Sequence, residues 1–165
     1  AIGDVQSFRK EMDAALSSYS EALTLFKQVG DKLGQANVLQ AIGDVQSFRK
    51  EMDAALSSYS EALTLFKQVG DKLGQANVRL SKGRMTDDPA EFEEAIRLYE
   101  EIGDRYSIAR GKAYFGGMLM GAGETERGVE LLKEAREGFA AINYEGGVQW
   151  IDELLTENEE SEDAE

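Results

Sequence analysis

The sequence predicts an all-α fold, a solenoid of helix-turn-helix repeats with a C-terminal capping helix. Three observations support this prediction. Residues 1–38 are identical to residues 41–78, and self-similarity at a fixed period of about 20–50 residues is typical of repeats that cover one another's apolar faces. The 165 residues contain one proline, and many of the others favour helices. Apolar residues within each copy recur at steps of three and four, which is one face of a helix.

The second copy shows where each helix begins and ends. Apolar side chains at helical spacing follow Glu51 and continue to Val69. Gly70 then predicts a left-handed residue that ends the helix, and Asp71 is the predicted N-cap of the next helix. Each repeat is therefore predicted to be helix, short turn, helix, short turn. The identical first copy is predicted to follow this plan, with part of its opening helix missing.

The pattern of large and small residues resembles the tetratricopeptide repeat family. Gly43 and Ala55 stand at small positions, and Tyr59 stands at the aromatic position that fills the gap between helices. The GDKLGQA junction is similar to that of longer-period members, the spindle-orientation adaptor type and bacterial arrays. The sequence departs from the commonest form in its period of 40 instead of about 34 residues, and in Lys67, which replaces the usual proline. The resemblance implies a right-handed α-solenoid that binds proteins or peptides along its first helices.

The second half of the chain continues the pattern in degenerate form. Gly83 lies one repeat after Gly43, and Gly116 is the next small position. The run from Asp88 to Glu91 predicts a helix start, with an N-cap, a proline at the first helical position and a capping-box glutamate. The predicted units span residues 1–35, 36–75, 76–108 and 109–143. A capping helix over 144–157, with Trp150 inward, and a disordered acidic tail over 158–165 are predicted to follow.

The composition argues against several classes of function. The chain has neither cysteine nor histidine, which removes disulfides, the usual zinc ligands and the commonest general base. No catalytic residue, metal ligand or cofactor is predicted, and the chain is not expected to be an enzyme. The net charge of −14 argues against nucleic-acid and anionic-membrane partners, because phosphate contacts need clustered Lys and Arg. Without a long apolar segment, the predicted location is cytoplasmic.

Two motifs allow a chemical and a structural interpretation. The glycines of GGMLMGAGETERG, residues 116–128, lack the Lys-Ser/Thr pair of a phosphate loop, so helix packing and turns are the favoured interpretation. The acidic pairs, such as Glu93-Glu94, are interpreted as solvated helix faces instead of acid/base dyads. Glu93 is expected to pair with Arg97 one turn later.

The resemblance also implies which residues face the binding groove. The candidate positions are Asn37, Gln40, Asp44, Asn77, Ser81, Arg84, Arg110 and Tyr114. A basic cluster is formed by Arg79, Lys82, Arg84, Arg110 and Lys112. This cluster predicts an acidic peptide partner; the alternative is that it only solubilises the groove wall. Asp44 stands where relatives that clamp a C-terminal carboxylate need an asparagine, which disfavours that ligand.

A second hypothesis is self-association. Because the first repeat is predicted to lack part of its opening helix, the face that includes Tyr19, Leu23 and Phe26 is predicted to be open. An open apolar face of an identical unit predicts a homo-oligomer formed end to end or by exchange of segments.

Overall fold

The computed structural model describes residues 2–162, with side chains from residue 9 to residue 156. Every regular element in this part of the chain is an α-helix. The helices are α1 (Ile2–Val29), α2 (Lys32–Phe48), α3 (Met52–Val69), α4 (Lys72–Thr86), α5 (Pro89–Ile102), α6 (Arg105–Gly121), α7 (Thr125–Ala141) and α8 (Glu145–Glu162). The all-α prediction is confirmed.

Two compact units divide the chain, residues 1–81 and residues 82–165, and the boundary falls inside α4. In the first unit α2 packs against both α1 and α3. In the second unit α6 packs against α5 and α7, and α7 packs against α8. The predicted repeat boundaries at 36, 76 and 109 fall inside α2, α4 and α6, because each turn comes slightly earlier in the chain.

Glycine, aspartate and proline mark the turns as the sequence predicts. Gly70 follows α3 with a φ of 73°, and the Asp71 carboxylate accepts a hydrogen bond from the Gly74 N–H at 3.0 Å. Asp88 caps α5 by accepting from the Ala90 N–H at 3.0 Å, with Pro89 at the first helical position. These residues set the helix starts, because the first N–H groups of a helix need acceptors outside it.

The close contacts in the first unit are made at glycines, as predicted for the small positions. A Cβ on Gly43 would lie 2.6 Å from the Tyr59 ring, and a Cβ on Gly74 would overlap the Phe66 ring. Ala55 of α3 is also fully buried. The small residues let α2 and α4 approach α3 closely, and the aromatic rings fill the space between them.

The second unit contains a close contact between the backbones of two helices. A Cβ on Gly116 of α6 would stand 2.8 Å from the carbonyl oxygen of Gly128 on α7. Around this contact lies an apolar core, against which Trp150 and Leu154 of α8 are partly buried. Its buried members are Ala109, Ala113, Leu132, Ala135, Phe139 and Ile151.

Alanine substitutions at two neighbouring glycines of α6 are expected to change the free energy of unfolding in opposite directions. We expect Gly117→Ala to raise the free energy of unfolding by about 0.5–1 kcal/mol, because open space surrounds its Cβ position and alanine loses less backbone entropy in a helix. Gly116→Ala is expected to lower it, because α6 and α7 must move apart. Urea unfolding followed by far-UV circular dichroism measures both changes. Stabilisation by both variants would contradict the close contact.

The duplicated sequence adopts two different structures. In the second copy a turn at Arg49–Glu51 separates α2 from α3, and Lys50 has a φ of 61°. In the first copy the identical residues run on as the single helix α1. The prediction of a helix, a turn and a second helix in the first copy is therefore wrong.

Tertiary contacts explain this difference. The Arg49 guanidinium in the turn binds Asp13 of α1 at 2.9 Å and Glu51 at 3.1 Å. The turn also follows the 17-residue helix α2, which is anchored on α1. Without contacts of this kind, continuing a helix costs less than forming a turn with a left-handed lysine.

Burial also differs between the two copies. Tyr59 is 1% exposed and Phe66 is fully buried in α3. The equivalent Tyr19 and Phe26 of α1 are only half-buried. The same side chains are therefore less buried in the first copy than in the second.

The C-terminal helix is longer than the sequence predicts. Helix α8 continues to Glu162, beyond the predicted end of the capping helix at residue 157, and residues 163–165 of the predicted tail lie outside the described part. Glutamate favours helices, and extending a helix already anchored at the buried Ile151 costs little. Arg136 of α7 also binds Asp152 of α8 at 2.5 Å and holds the pKa of that carboxyl below its usual range. None of the described helices has the length and apolarity needed to cross a membrane.

Candidate binding surface

Three side chains from α4, α6 and α8 lie in a row in the second unit, which we call the Arg84 row. The Arg84 guanidinium lies 4.1 Å from the centroid of the Tyr114 ring. The Tyr114 ring meets the Trp150 ring edge to face at 5.4 Å. Arg84 is exposed, and the two aromatic residues are half-buried. The ring attracts the cation and holds it in place, while its N–H groups remain accessible.

The same face of α6 carries a second arginine between two tyrosines. Tyr106, Arg110 and Tyr114 follow one another at intervals of one turn. The Arg110 side chain donates a long hydrogen bond of 3.4 Å to the Tyr99 hydroxyl, and its guanidinium lies 5.6 Å from the Tyr106 ring centroid. Burial raises the pKa of Tyr99. The face therefore carries two arginines, each in contact with an aromatic ring.

Two lysines of the predicted basic cluster pair with glutamates instead of joining the arginines. Lys82 binds Glu91 of α5 at 2.5 Å, and both side chains are largely buried. Lys112 binds Glu134 of α7 at 2.5 Å. Lys112 also lines a separate cavity of about 350 Å³ with residues of α5 and α7. Of the predicted cluster members in the second unit, Arg84 and Arg110 thus lie on the tyrosine-bearing face, and the two lysine charges are neutralised.

The predicted groove positions of the first unit are polar or acidic. The Asp44 carboxylate accepts hydrogen bonds from the Tyr59 hydroxyl at 2.8 Å and the Ser81 hydroxyl at 3.2 Å. Burial, followed by the hydrogen bond to Asp44 and the charge of that carboxylate, raises the pKa of Tyr59. The remaining groove positions, Asn37, Gln40 and Asn77, are exposed or half-buried, and Arg79 of the predicted basic cluster is half-buried. Asp44 therefore has a structural role, which its predicted place in the groove did not reveal.

The glycine-rich segment and the acidic pairs have structural roles in helix packing and surface ion pairs. Gly116 and Gly128 lie at the helix contact, and Gly123 has a turn φ of 86°, so the packing interpretation is confirmed. The expected pairing of Glu93 with Arg97 is wrong. Arg97 binds Glu94 and Glu101, and Glu93 binds Arg127 of α7 at 3.0 Å. No group of acidic residues among the described side chains is arranged to hold a metal ion.

Sequence reasoning missed Tyr106 and the contact of Trp150 with the groove residue Tyr114. Tyr106 stands one turn before Arg110, so its helical spacing was a signal that could have identified it. Trp150 was predicted to point inward, and it does contact the core residue Phe139, with ring centroids 6.5 Å apart. Its second contact, with Tyr114, depends on how α8 packs, which no local pattern contains.

Comparisons with known proteins agree with this architecture. Residues 1–68 match the family model described as tetratricopeptide repeat. No curated protein matches the chain. Among solved structures, the crystal structure of BtubC (BKLC) from P. vanneervenii is similar, with a TM-score of 0.73 and 18% sequence identity. The similarity covers 81% of this chain and 59% of that one, and at this identity it shows the fold alone. The chain is therefore an all-α helical-repeat protein, and its residues 1–68 match the tetratricopeptide repeat.

Proposed function

We propose that the chain is a non-enzymatic scaffold that binds an acidic peptide segment of a partner protein. The tetratricopeptide match indicates a protein–protein interaction scaffold. The Arg84 row is the observation that supports the ligand class, since it offers an exposed guanidinium held on an aromatic surface. A cytoplasmic location and the absence of a cofactor are predictions from the sequence.

The chemistry of the row suits carboxylates better than other ligands. Within the described part of the chain no carboxylate pairs with Arg84, whereas Lys82 and Lys112 each have a glutamate partner. A guanidinium can bind a carboxylate through two parallel hydrogen bonds. The flanking Tyr114 and Trp150 rings add apolar contact area with few rotatable bonds. An acidic peptide with an apolar neighbour to its carboxylate fits these features.

Calorimetric titration with a synthetic acidic peptide tests this proposal. The probe is the chain's own tail sequence, residues 157–165, added to a chain shortened to residue 156. We expect binding that Arg84→Glu weakens by about tenfold or more and that the additional change Arg110→Glu abolishes. Raising the salt to about 0.5 M should also weaken it, because exposed charges are then screened within a few ångströms.

Controls separate the surface from net charge. Lys133→Glu reverses an exposed charge on α7 away from the row, so it should leave the affinity nearly unchanged. The full-length chain should bind the added peptide more weakly, because its tethered tail competes at high local concentration. If the double arginine variant binds the probe as well as the parent, the Arg84 row is not the recognition surface.

Self-association is a second candidate function. The observation that favours it is the half-exposed face of α1, whose identical counterpart on α3 is buried. An apolar helix face of this kind is typical of an interaction surface.

A further inference from the structure

Helices α1 and α3 share one sequence, and in α3 this sequence packs against two neighbouring helices. Helix α3 packs against α2 at Gly43 and against α4 at Gly74. Helix α1 packs against α2 at Gly34, which repeats the second of these contacts. In the described part of the chain, the first contact has no counterpart on α1, and the residues that would make it remain half-exposed.

Because α1 runs without a turn, it also contains a repeat of seven residues. Steps of three and four alternate along one series of apolar positions, which is the a and d pattern of a two-stranded coiled coil. In the second copy the turn at Lys50 divides the same residues between α2 and α3. The pattern is therefore continuous only in α1. Its members are Val5, Phe8, Met12, Ala15, Tyr19, Ala22, Phe26 and Val29.

The pattern is complementary to itself when two copies run antiparallel. With a two-fold axis at residue 17, Ala15 of each chain stands opposite Tyr19 of the other, and Ala22 stands opposite Met12. Each large side chain then meets a small one, as Tyr59 meets Gly43 inside the first unit. A parallel pair would instead place Tyr19 on Tyr19 and Ala15 on Ala15.

The charge distribution also favours contact through this end of the chain. The net charge is −14, and most of the acidic excess lies after residue 80. Two copies that met through the second unit would bring like charges together. Residues 1–80 are nearly neutral, so contact through α1 avoids this repulsion.

We propose that α1 is a homodimer interface, in which a second copy of this chain lays its own α1 antiparallel across the half-exposed face. The contact is isologous, since each chain gives and receives the same surface. It covers Tyr19 and Ala15 as α2 covers Tyr59 and Ala55. This geometry rests on the self-association candidate above and is independent of the acidic-peptide proposal.

Sedimentation of the full 165-residue chain at tens of micromolar, with two neighbouring variants, is the first test. We expect a dimer whose dissociation constant rises by about tenfold or more in Ala15→Glu, because the interface must bury an unpaired charge. The matched control is Ala14→Glu, which places the same charge on the exposed side of the same helix and should leave dimerisation unchanged. Circular dichroism of both variants checks that the monomer fold is intact.

Crosslinking tests the antiparallel register. The chain has no cysteine, so a single introduced thiol is the only reactive one. Ser18→Cys lies beside the proposed axis and should form a covalent dimer with a short bismaleimide. Ser17→Cys, one residue away on the opposite side of the helix, should not.

The outcomes distinguish this geometry from the broader candidate. A monomer in sedimentation would overturn both self-association and the α1 interface. A dimer that forms equally well with Ala15→Glu, or that crosslinks equally through residues 17 and 18, would overturn only the α1 interface. A monomer whose backbone amides near Lys10 exchange rapidly would indicate that the helix is interrupted there and that the preceding residues fold back over α1. This result would also contradict the proposal.

Discussion

Phe66→Ala is expected to lower the free energy of unfolding by about 3–5 kcal/mol, the largest effect of any change considered. Phe66 is fully buried, and its ring fills the space over Gly74, where a Cβ would overlap it. Removing the ring leaves a cavity that the backbone of α4 cannot fill without moving. Urea unfolding monitored by far-UV circular dichroism measures the loss.

The duplication supplies a matched control for this change. Phe26→Ala removes the same ring from the same local sequence, and Phe26 packs on Gly34 as Phe66 packs on Gly74. Because Phe26 is half-buried, the loss should be clearly smaller, and the comparison is made at submicromolar concentration to disfavour the proposed dimer. Equal losses at the two positions would contradict the difference in burial between the copies.

Ala55→Leu is the second change with a large expected effect. Ala55 of α3 is fully buried and α3 packs against α2, so we expect three added carbons to force the packing apart, at a cost of about 1–3 kcal/mol. Ala15→Leu makes the same change on the half-exposed α1. There we expect little or no loss, since the side chain can extend into solvent.

The two alanine variants also test the assignment of small positions. Unfolding midpoints of both proteins, determined in the same denaturant series, give the comparison directly. An Ala55→Leu variant as stable as the parent would show that α2 and α3 are not in close contact at this residue. If only Ala15→Leu strongly lowers the free energy of unfolding, the close helix contact lies in the first copy and not in the second.

The features that sequence analysis predicted correctly are those encoded locally. Asp71, Asp88 and Gly70 act within one helical turn of their own position, so their neighbours in the sequence suffice to predict them. Gly43 was also predicted correctly, because the family pattern records which residues face a neighbouring helix. The same reasoning failed for α1. Its sequence is identical to that of a helix-turn-helix, and contacts such as that of Arg49 with Asp13 are made with another helix.

The candidate site was predicted in part for the same reason. The helix register placed Arg110 and Tyr114 on one face of α6, and they do share it with Tyr106. The sequence did not indicate that Lys82 and Lys112 are neutralised, since their partners Glu91 and Glu134 lie on other helices. Net charge along a chain therefore overestimates the basic surface wherever a lysine lies within reach of a neighbouring acidic helix.

Trp150 makes the second unit optically distinct from the first. It is the single tryptophan of the chain, and its ring contacts both Phe139 in the core and Tyr114 on the surface. Tryptophan fluorescence therefore reports on the second unit, residues 82–165. Far-UV circular dichroism instead measures the helix content of the whole chain. Melting curves from the two spectra should coincide if the units unfold together and separate if they unfold one after the other. The emission should also shift when a ligand occupies the surface beside Tyr114, so the native chain carries its own binding probe.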